Sequence, residues 1–182
     1  LDVGDRLALA EDFPEAPSWS VLTDELAELL GLLCADGWVD RAGRRICFTN
    51  NDPVLRSRVA QLWSRCFLKS SHEWVGRSGF SDRGVGKLDL RGSSSHCSWL
   101  REQLYTATAR KQVPPLVLNG DVEAQQAFMK GFYAGDGLKR GNGQAFVTNS
   151  AVLAQGLCWL YHLEDQPCSV YLERRNEATY YR

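Results

Sequence analysis

Two aspartates stand in the same local setting one hundred residues apart: Asp36 and Asp136 are each followed by glycine and each preceded by an apolar run rich in small residues. A carboxylate is a hard oxygen ligand. Two of them together suit a divalent cation such as Mg²⁺, or Mn²⁺ in its place, that keeps coordination positions open for water and phosphate oxygens. Without a cation, two carboxylates ~6 Å apart repel by roughly 3 kcal/mol at an effective dielectric of 20, and a helix C-terminus already disfavours an anion. The alternative is that each Asp-Gly merely ends an ordinary helix. Six cysteines at 34, 47, 66, 97, 158 and 168 form no C-x-x-C pair and do not cluster with the three histidines. Neither a zinc site nor a disulfide scaffold is expected, and the thiols read as reduced.

The elements that must position the aspartates are legible around them. Small residues recur at Ala27, Gly31 and Ala35 and again at Ala127, Gly131 and Gly135, each set forming a stripe down one helical face. Thr23 is the expected cap of the first helix, with Asp24 and Glu25 in its opening turn, and Asp121 that of the second, followed by Glu123. Gly37 and Gly137 are expected to end the helices in the left-handed conformation. A glycine inside a helix costs about 0.5 to 1 kcal/mol relative to alanine. The stripes therefore imply close backbone contact, the two helices packed face to face about a pseudo-twofold axis with Asp36 and Asp136 at one end.

The repeat continues downstream. Strand-like runs at 44–49 and 144–148 each close in Thr-Asn, and each precedes an amphipathic helix. The first has Asp52 as cap, Pro53 at its first position and Leu55, Val59, Leu62, Trp63, Cys66 and Phe67 as its buried stripe; the second starts at Ser150 and carries Val152, Leu153, Leu157, Leu160 and Tyr161. Further strands are expected at 74–80, 85–91, 169–173 and 178–182, with an extra helix at 95–108 in the first half alone, so that the second half reads as C-terminally shortened. The chain divides into an N-terminal segment 1–22, a first repeat 23–110, a linker 111–120 and a second repeat 121–182.

The net charge is −1, which argues against a polyanionic partner, but the charges are segregated. Residues 1–40 hold one arginine against ten acids, residues 41–111 fourteen basic against five acidic residues, and residues 112–182 six against seven. The basic block implies a local positive surface. No apolar run approaches the roughly 18 to 20 residues of a spanning helix, and the N-terminus lacks the pattern of a secretion signal. An intracellular, membrane-free, monomeric protein is expected.

Residues 29–37 (LLGLLCADG) and 129–137 (MKGFYAGDG) lie on the nine-residue motif of the LAGLIDADG homing endonucleases, and the chain resembles their single-chain form with two motifs. Leu30 and Cys34 replace Ala and Asp of the name in the first copy; Met129, Lys130, Phe132, Tyr133 and Ala134 depart in the second; both keep the terminal aspartate. The resemblance implies an α+β fold of two pseudo-symmetric αββαββ(α) repeats, their strands forming a saddle over double-stranded DNA around the two central helices. It also implies Mg²⁺-dependent cleavage of both strands across the minor groove, with Asp36 and Asp136 as metal-binding catalytic carboxylates. Lys111-Gln112-Val113-Pro114, followed by Val117 and Leu118, resembles the block before the second motif of intein-borne endonucleases. That makes Lys111 a candidate for polarising the scissile phosphate or holding a water, against a solvated linker lysine. Residues 3–9 (VGDRLAL) resemble the end of an intein splicing domain, which implies such a domain as flanking partner. With no initial Cys or Ser and no terminal His-Asn, the chain as it stands is not expected to splice.

Alternation supplies a DNA face without the family. Lys87, Asp89 and Arg91 oppose Leu88 and Leu90, and the same logic offers Arg45, Arg77, Gln144, Thr148, Ser169, Tyr171 and Glu173, with Arg41, Arg83, Lys139 and Arg140 on adjoining turns. These types suit base edges and phosphates; individually, each also reads as a solubilising surface group. Arg56, Arg58 and Arg65 read as solvated on the polar side of their helix, the six tryptophans as core or rim, and Cys34 as a small packing residue. Two functions stay open: a site-specific nuclease carried in an intein, or a non-catalytic DNA- or RNA-binding module such as a regulator, a maturase or a decayed insertion.

Overall fold

In chain order the elements are α1 (Asp24–Asp36), β1 (Gly37–Val39), β2 (Ile46–Thr49), α2 (Pro53–Phe67), β3 (Ser71–Arg77), β4 (Gly84–Leu90), α3 (Ser94–Leu104), α4 (Pro115–Leu118), α5 (Val122–Asp136), α6 (Ala151–Leu163), β5 (Leu172–Arg175) and β6 (Ala178–Tyr181). The computed structural model describes residues 22–77, 84–137, 145–175 and 178–182. Four helices begin where a short polar side chain accepts an otherwise orphaned amide: Thr23 Oγ1 from Leu26 at 3.3 Å, Asp52 Oδ1 from Val54 at 2.8 Å, Asp121 Oδ1 from Ala124 at 2.9 Å and Ser150 Oγ from Leu153 at 3.3 Å. The helix ends depart from expectation. Gly37 (φ −85°, ψ 151°) and Gly137 (φ −64°, ψ 135°) are extended, not left-handed. Gly37 already belongs to β1, and a side chain there would collide with the Leu33 carbonyl, as one at Gly137 would with Tyr133.

The first half is an antiparallel sheet of order β1-β2-β4-β3. Ile46, Phe48, Leu88 and Leu90 join Val59, Leu62 and Trp63 of α2, Leu100 and Leu104 of α3 and Leu29 and Leu33 of α1 in one buried cluster. The register pairs Cys47 with Asp89, Thr49 with Lys87 and Trp74 with Lys87, which puts these side chains on the opposite, open face. β3 begins at Ser71, earlier than expected, and α3 stops at Leu104 because Tyr105 turns extended to bridge Lys111. The linker is not bare chain: Val113 and Val117 are buried and α4 lies within it.

In the second half α6 buries Leu153, Ala154, Leu157 and Leu160, while Val152, expected in that stripe, is exposed. The run 144–148 is not a strand among the described residues; Thr148 alone bridges Tyr181. β5 pairs antiparallel with β6, starting at Leu172 and not at 169. None of the described helices is long and apolar enough to cross a membrane.

The halves meet along α1 and α5. A Cβ added to Gly31 would collide with the Phe128 carbonyl and the Phe132 amide, and one added to Gly131 with the Glu28 carbonyl and the Leu32 amide. Each contact is the other's image under a shift of one hundred residues, which is the pseudo-twofold seam that the small-residue stripes imply.

Candidate functional site

The seam delivers two carboxylates to one end of the helix pair. A Cβ at Gly135 would stand 3.0 Å from Asp36 Oδ2, and Asp136 is the next residue. Asp36 is half-buried and Asp136 exposed. Asn50 Nδ2 donates to Asp36 Oδ2 at 2.6 Å. Asn50 is itself held: its amide donates to the Gly86 carbonyl at 3.1 Å, its Oδ1 accepts the Asp52 amide at 2.7 Å, and its carbonyl accepts from Arg56 Nη1 at 2.7 Å. Sequence reasoning saw the Thr-Asn pairs but missed this role. Asn50 lies two residues before the α2 cap, and its counterpart, two before the α6 cap, is Thr148, whose Oγ1 accepts the Ser150 amide at 3.1 Å. Counting back from the caps would have found the pair.

Lys111 arrives at the same end from the linker. Its Nζ donates to the Leu33 carbonyl at 2.7 Å and to the Gly37 carbonyl at 2.8 Å, and lies 4.8 Å from the Tyr105 ring centre. The two carbonyls bracket Asp36, so the ammonium offsets the negative end of α1. Cys34 is buried and its Sγ donates to the Gln112 carbonyl at 3.4 Å. Burial pushes its thiol up to about 12, with Lys111 pulling down and Asp136 adding to the rise, which fits a packing residue and not a nucleophile.

Two carboxylates at one end of a tight glycine contact are the donor type that a hard divalent cation takes, one that completes its shell with water and phosphate oxygens. They do not make a closed zinc site, and no group of three or more His, Cys, Asp or Glu side chains gathers among the described residues.

On the open sheet face, Arg45 grips Asp89 bidentately, with Nη2 at 2.7 Å from Oδ2 and Nε at 3.0 Å from Oδ1. Burial raises the Asp89 carboxyl, but the hydrogen bond and charge of Arg45, joined by Trp74 and Cys47, together outweigh it and leave the group below the usual range. Trp74 lies across Gly76, where a Cβ would meet its Cζ3 at 2.6 Å, with the Arg45 guanidinium 5.5 Å and the Lys87 ammonium 5.1 Å from its ring. Trp74 is half-buried on the edge strand β3, a rim aromatic that lies on the open face itself. Arg91 follows β4 in phase with Lys87 and Asp89, and Arg41 is exposed in the turn after β1.

Arg77 does not join them. It pairs with Gly84 and so falls on the Leu88 side of the sheet. Arg56, Arg58 and Arg65 are ion-paired rather than simply solvated: Arg56 with Glu73 at 2.6 Å, Arg58 with Glu28 at 2.6 Å, and Arg65 with Glu25. In the second half Tyr171 is exposed and its backbone pairs with Arg182, while Glu173 is held by Arg175. Arg83, Lys139, Arg140, Gln144 and Trp19 lie outside the described residues.

Comparison with known proteins bears on the fold. Residues 23–83 match the family described as the LAGLIDADG-like domain. The replication factor C small subunit of Methanocaldococcus jannaschii is 28% identical over 171 residues, covering 87% of this chain and 8% of that protein; the chain spans under a tenth of the length of this curated relative. Among solved structures, I-DmoI in complex with DNA and Mn superposes with a TM-score of 0.63 at 15% identity, covering 87% of each chain, and I-DmoI has also been solved with DNA and Ca. The N-terminal LAGLIDADG domain of WhiA superposes with a TM-score of 0.53 at 15% identity, covering 87% of this chain and 73% of that one. At these identities the structural likeness is one of fold.

Proposed function

We propose that this chain, whose residues 23–83 match the LAGLIDADG-like domain, is the site-specific, double-stranded DNA endonuclease domain of an intein, hydrolysing phosphodiesters across the minor groove. The observation that carries this reading is the retention of both aspartates at one end of the seam, with Gly135 kept free of a side chain beside Asp36. The match to a small part of a much longer protein supports an inserted domain.

Asp36 and Asp136 would hold the divalent cation, Mg²⁺ or Mn²⁺, which when bound polarises a phosphoryl oxygen and lowers the pKa of a coordinated water. The chain's own residues do the remainder. Asn50 fixes the orientation of the Asp36 carboxylate. Lys111, with two donors engaged by main-chain carbonyls, supplies positive charge where a phosphate must approach two carboxylates. Arg45, steadied by Asp89, and Lys87 present cations from the sheet face to the duplex, with Arg41 and Arg91 at its margins. We extend this DNA contact to Thr148 and Tyr171 in the second half and, on sequence, to Arg83, Lys139, Arg140 and Gln144.

The second reading, a binding module without cleavage, is favoured by one feature: the Lys111 ammonium faces the main chain of α1. One experiment separates the two. The chain is incubated with the uninterrupted coding sequence of a replication factor C small subunit, the class of protein in which its relative occurs, with and without Mg²⁺. Double-strand cleavage that needs Mg²⁺ and disappears in Asp36→Asn and in Asp136→Asn, with gel-shift binding retained, supports the endonuclease. Binding without cleavage in the parent chain supports the module, and cleavage by the double variant overturns the site.

A further inference from the structure

A groove of about 650 Å³ runs between α6 and the β5–β6 pair, walled by Phe146, Leu157, Tyr161, Val170 and Leu172, and two thiols share that wall. Cys158 is half-buried on α6, and Cys168 is exposed on the strap of residues 164–171 that leads to β5. Cys168 Sγ lies 3.9 Å from the Cys158 carbonyl oxygen, so the strap sets one sulfur over the residue that carries the other. We propose that Cys158 and Cys168 are a modification site, a vicinal thiol pair that low-molecular-weight disulfides of the glutathione class convert into an intramolecular disulfide.

The order of events is set by access. Cys168 is the exposed member and attacks first, as its thiolate, on one sulfur of the reagent; a mixed disulfide forms at Cys168 and one reagent thiol leaves. Burial, and then the neighbouring Cys168 thiol, push the Cys158 thiol up to about 12, so Cys158 is a poor first nucleophile, and its place under Cys168 assigns it the second displacement. It gives its proton to solvent, its sulfur attacks Cys168 Sγ, and the second reagent thiol leaves. The pair is oxidised by two electrons and the reagent is reduced to two thiols. Of the other four cysteines, Cys34, Cys47 and Cys97 are buried and Cys66 is half-buried, which withholds them from the first step. The cross-link pins the strap to α6 and fixes the point from which Tyr171 pairs with the Arg182 backbone. None of this depends on the nuclease assignment.

The test uses the whole folded chain, equilibrated at mildly alkaline pH with oxidised glutathione, quenched with N-ethylmaleimide and digested with trypsin. No Lys or Arg lies between residues 141 and 173, so Cys158 and Cys168 share the peptide 141–174, which contains no other cysteine. The expected product is that peptide lighter by two hydrogens, free of glutathione and of maleimide, with the other four cysteines alkylated after unfolding. Cys158→Ser should retain one glutathione on Cys168. Cys168→Ser, a change at an exposed position that leaves the fold intact, should keep Cys158 as a free thiol. A parent chain that holds stable glutathione on Cys168, or that links either cysteine to a different partner, overturns the proposal.

Discussion

The hydrogen bond from Asn50 to Asp36 ties a turn of the first sheet to the end of the central helix, so one amide sets the direction of a carboxylate it does not replace. Asn50→Ala should leave the fold and duplex binding intact and lower the cleavage rate by about 10 to 100-fold at limiting Mg²⁺; cleavage assayed across a metal titration checks this, and an unchanged rate would mean that Asp36 is positioned without it. A second expectation concerns Glu28, which receives two bonds from Arg58, at 2.9 and 2.6 Å. The Arg58 bonds hold its carboxyl below the ordinary value of 4.5 against the opposing pull of burial. Its contribution to stability is therefore full above about pH 4.5 and is lost as pH falls through the lower folded value. Acid unfolding of Glu28→Gln, followed by circular dichroism, should be flatter over about pH 5 to 3. At this scale the sequence revealed residue types and not their partners. Asp36 and Asp136 stood out through identical surroundings, whereas the hold of Asn50, the flat Trp74 and the ion pairs of Arg56, Arg58 and Arg65 each join segments far apart in the chain. Arg77 was misassigned because facing depends on register, and β3 starts at Ser71, a phase that composition does not mark.

The elements repeat the lesson in reverse, because their causes are local. Thr23, Asp52, Asp121 and Ser150 cap where short polar residues precede apolar periodicity, and the two glycine stripes disclosed the seam on their own. Local rules could not supply the path of the chain beyond each helix: Gly37 is extended because β1 starts at once, and the run 144–148 has alternation but only one bridge. The seam gives the element-scale prediction. Gly31→Ala would press a methyl against the Phe128 carbonyl, an overpacking worth on the order of 3 kcal/mol, which corresponds to a fall in Tm of roughly 6 to 12 °C for a chain of this size. Calorimetry on that variant, beside Gly43→Ala at a left-handed turn away from the seam, checks it; equal losses would remove the special status of the seam.

For the whole molecule, near-neutral net charge conceals a basic middle third. Duplex binding through that surface should weaken steeply with salt, by at least about 10³-fold between 50 and 200 mM if six or more phosphates are neutralised. Affinity that is flat over this range would leave the sheet face without a polyanion. The first half was legible in its helices and in β2 and β4, whereas β1 went unmarked and β3 begins earlier than its composition suggests; the second was legible only in α5, α6 and the β5–β6 hairpin. That inequality has a corollary in the seam itself. Gly31 and Gly131 meet main chain, and a helix backbone has the same shape whatever side chains it carries, so at these two positions the junction is insensitive to the partner's side chains. Recombination that grafts one half of this protein onto the other half of a relative should yield a chimera that docks as its parents do, joining two independently evolved reading surfaces in a single polypeptide.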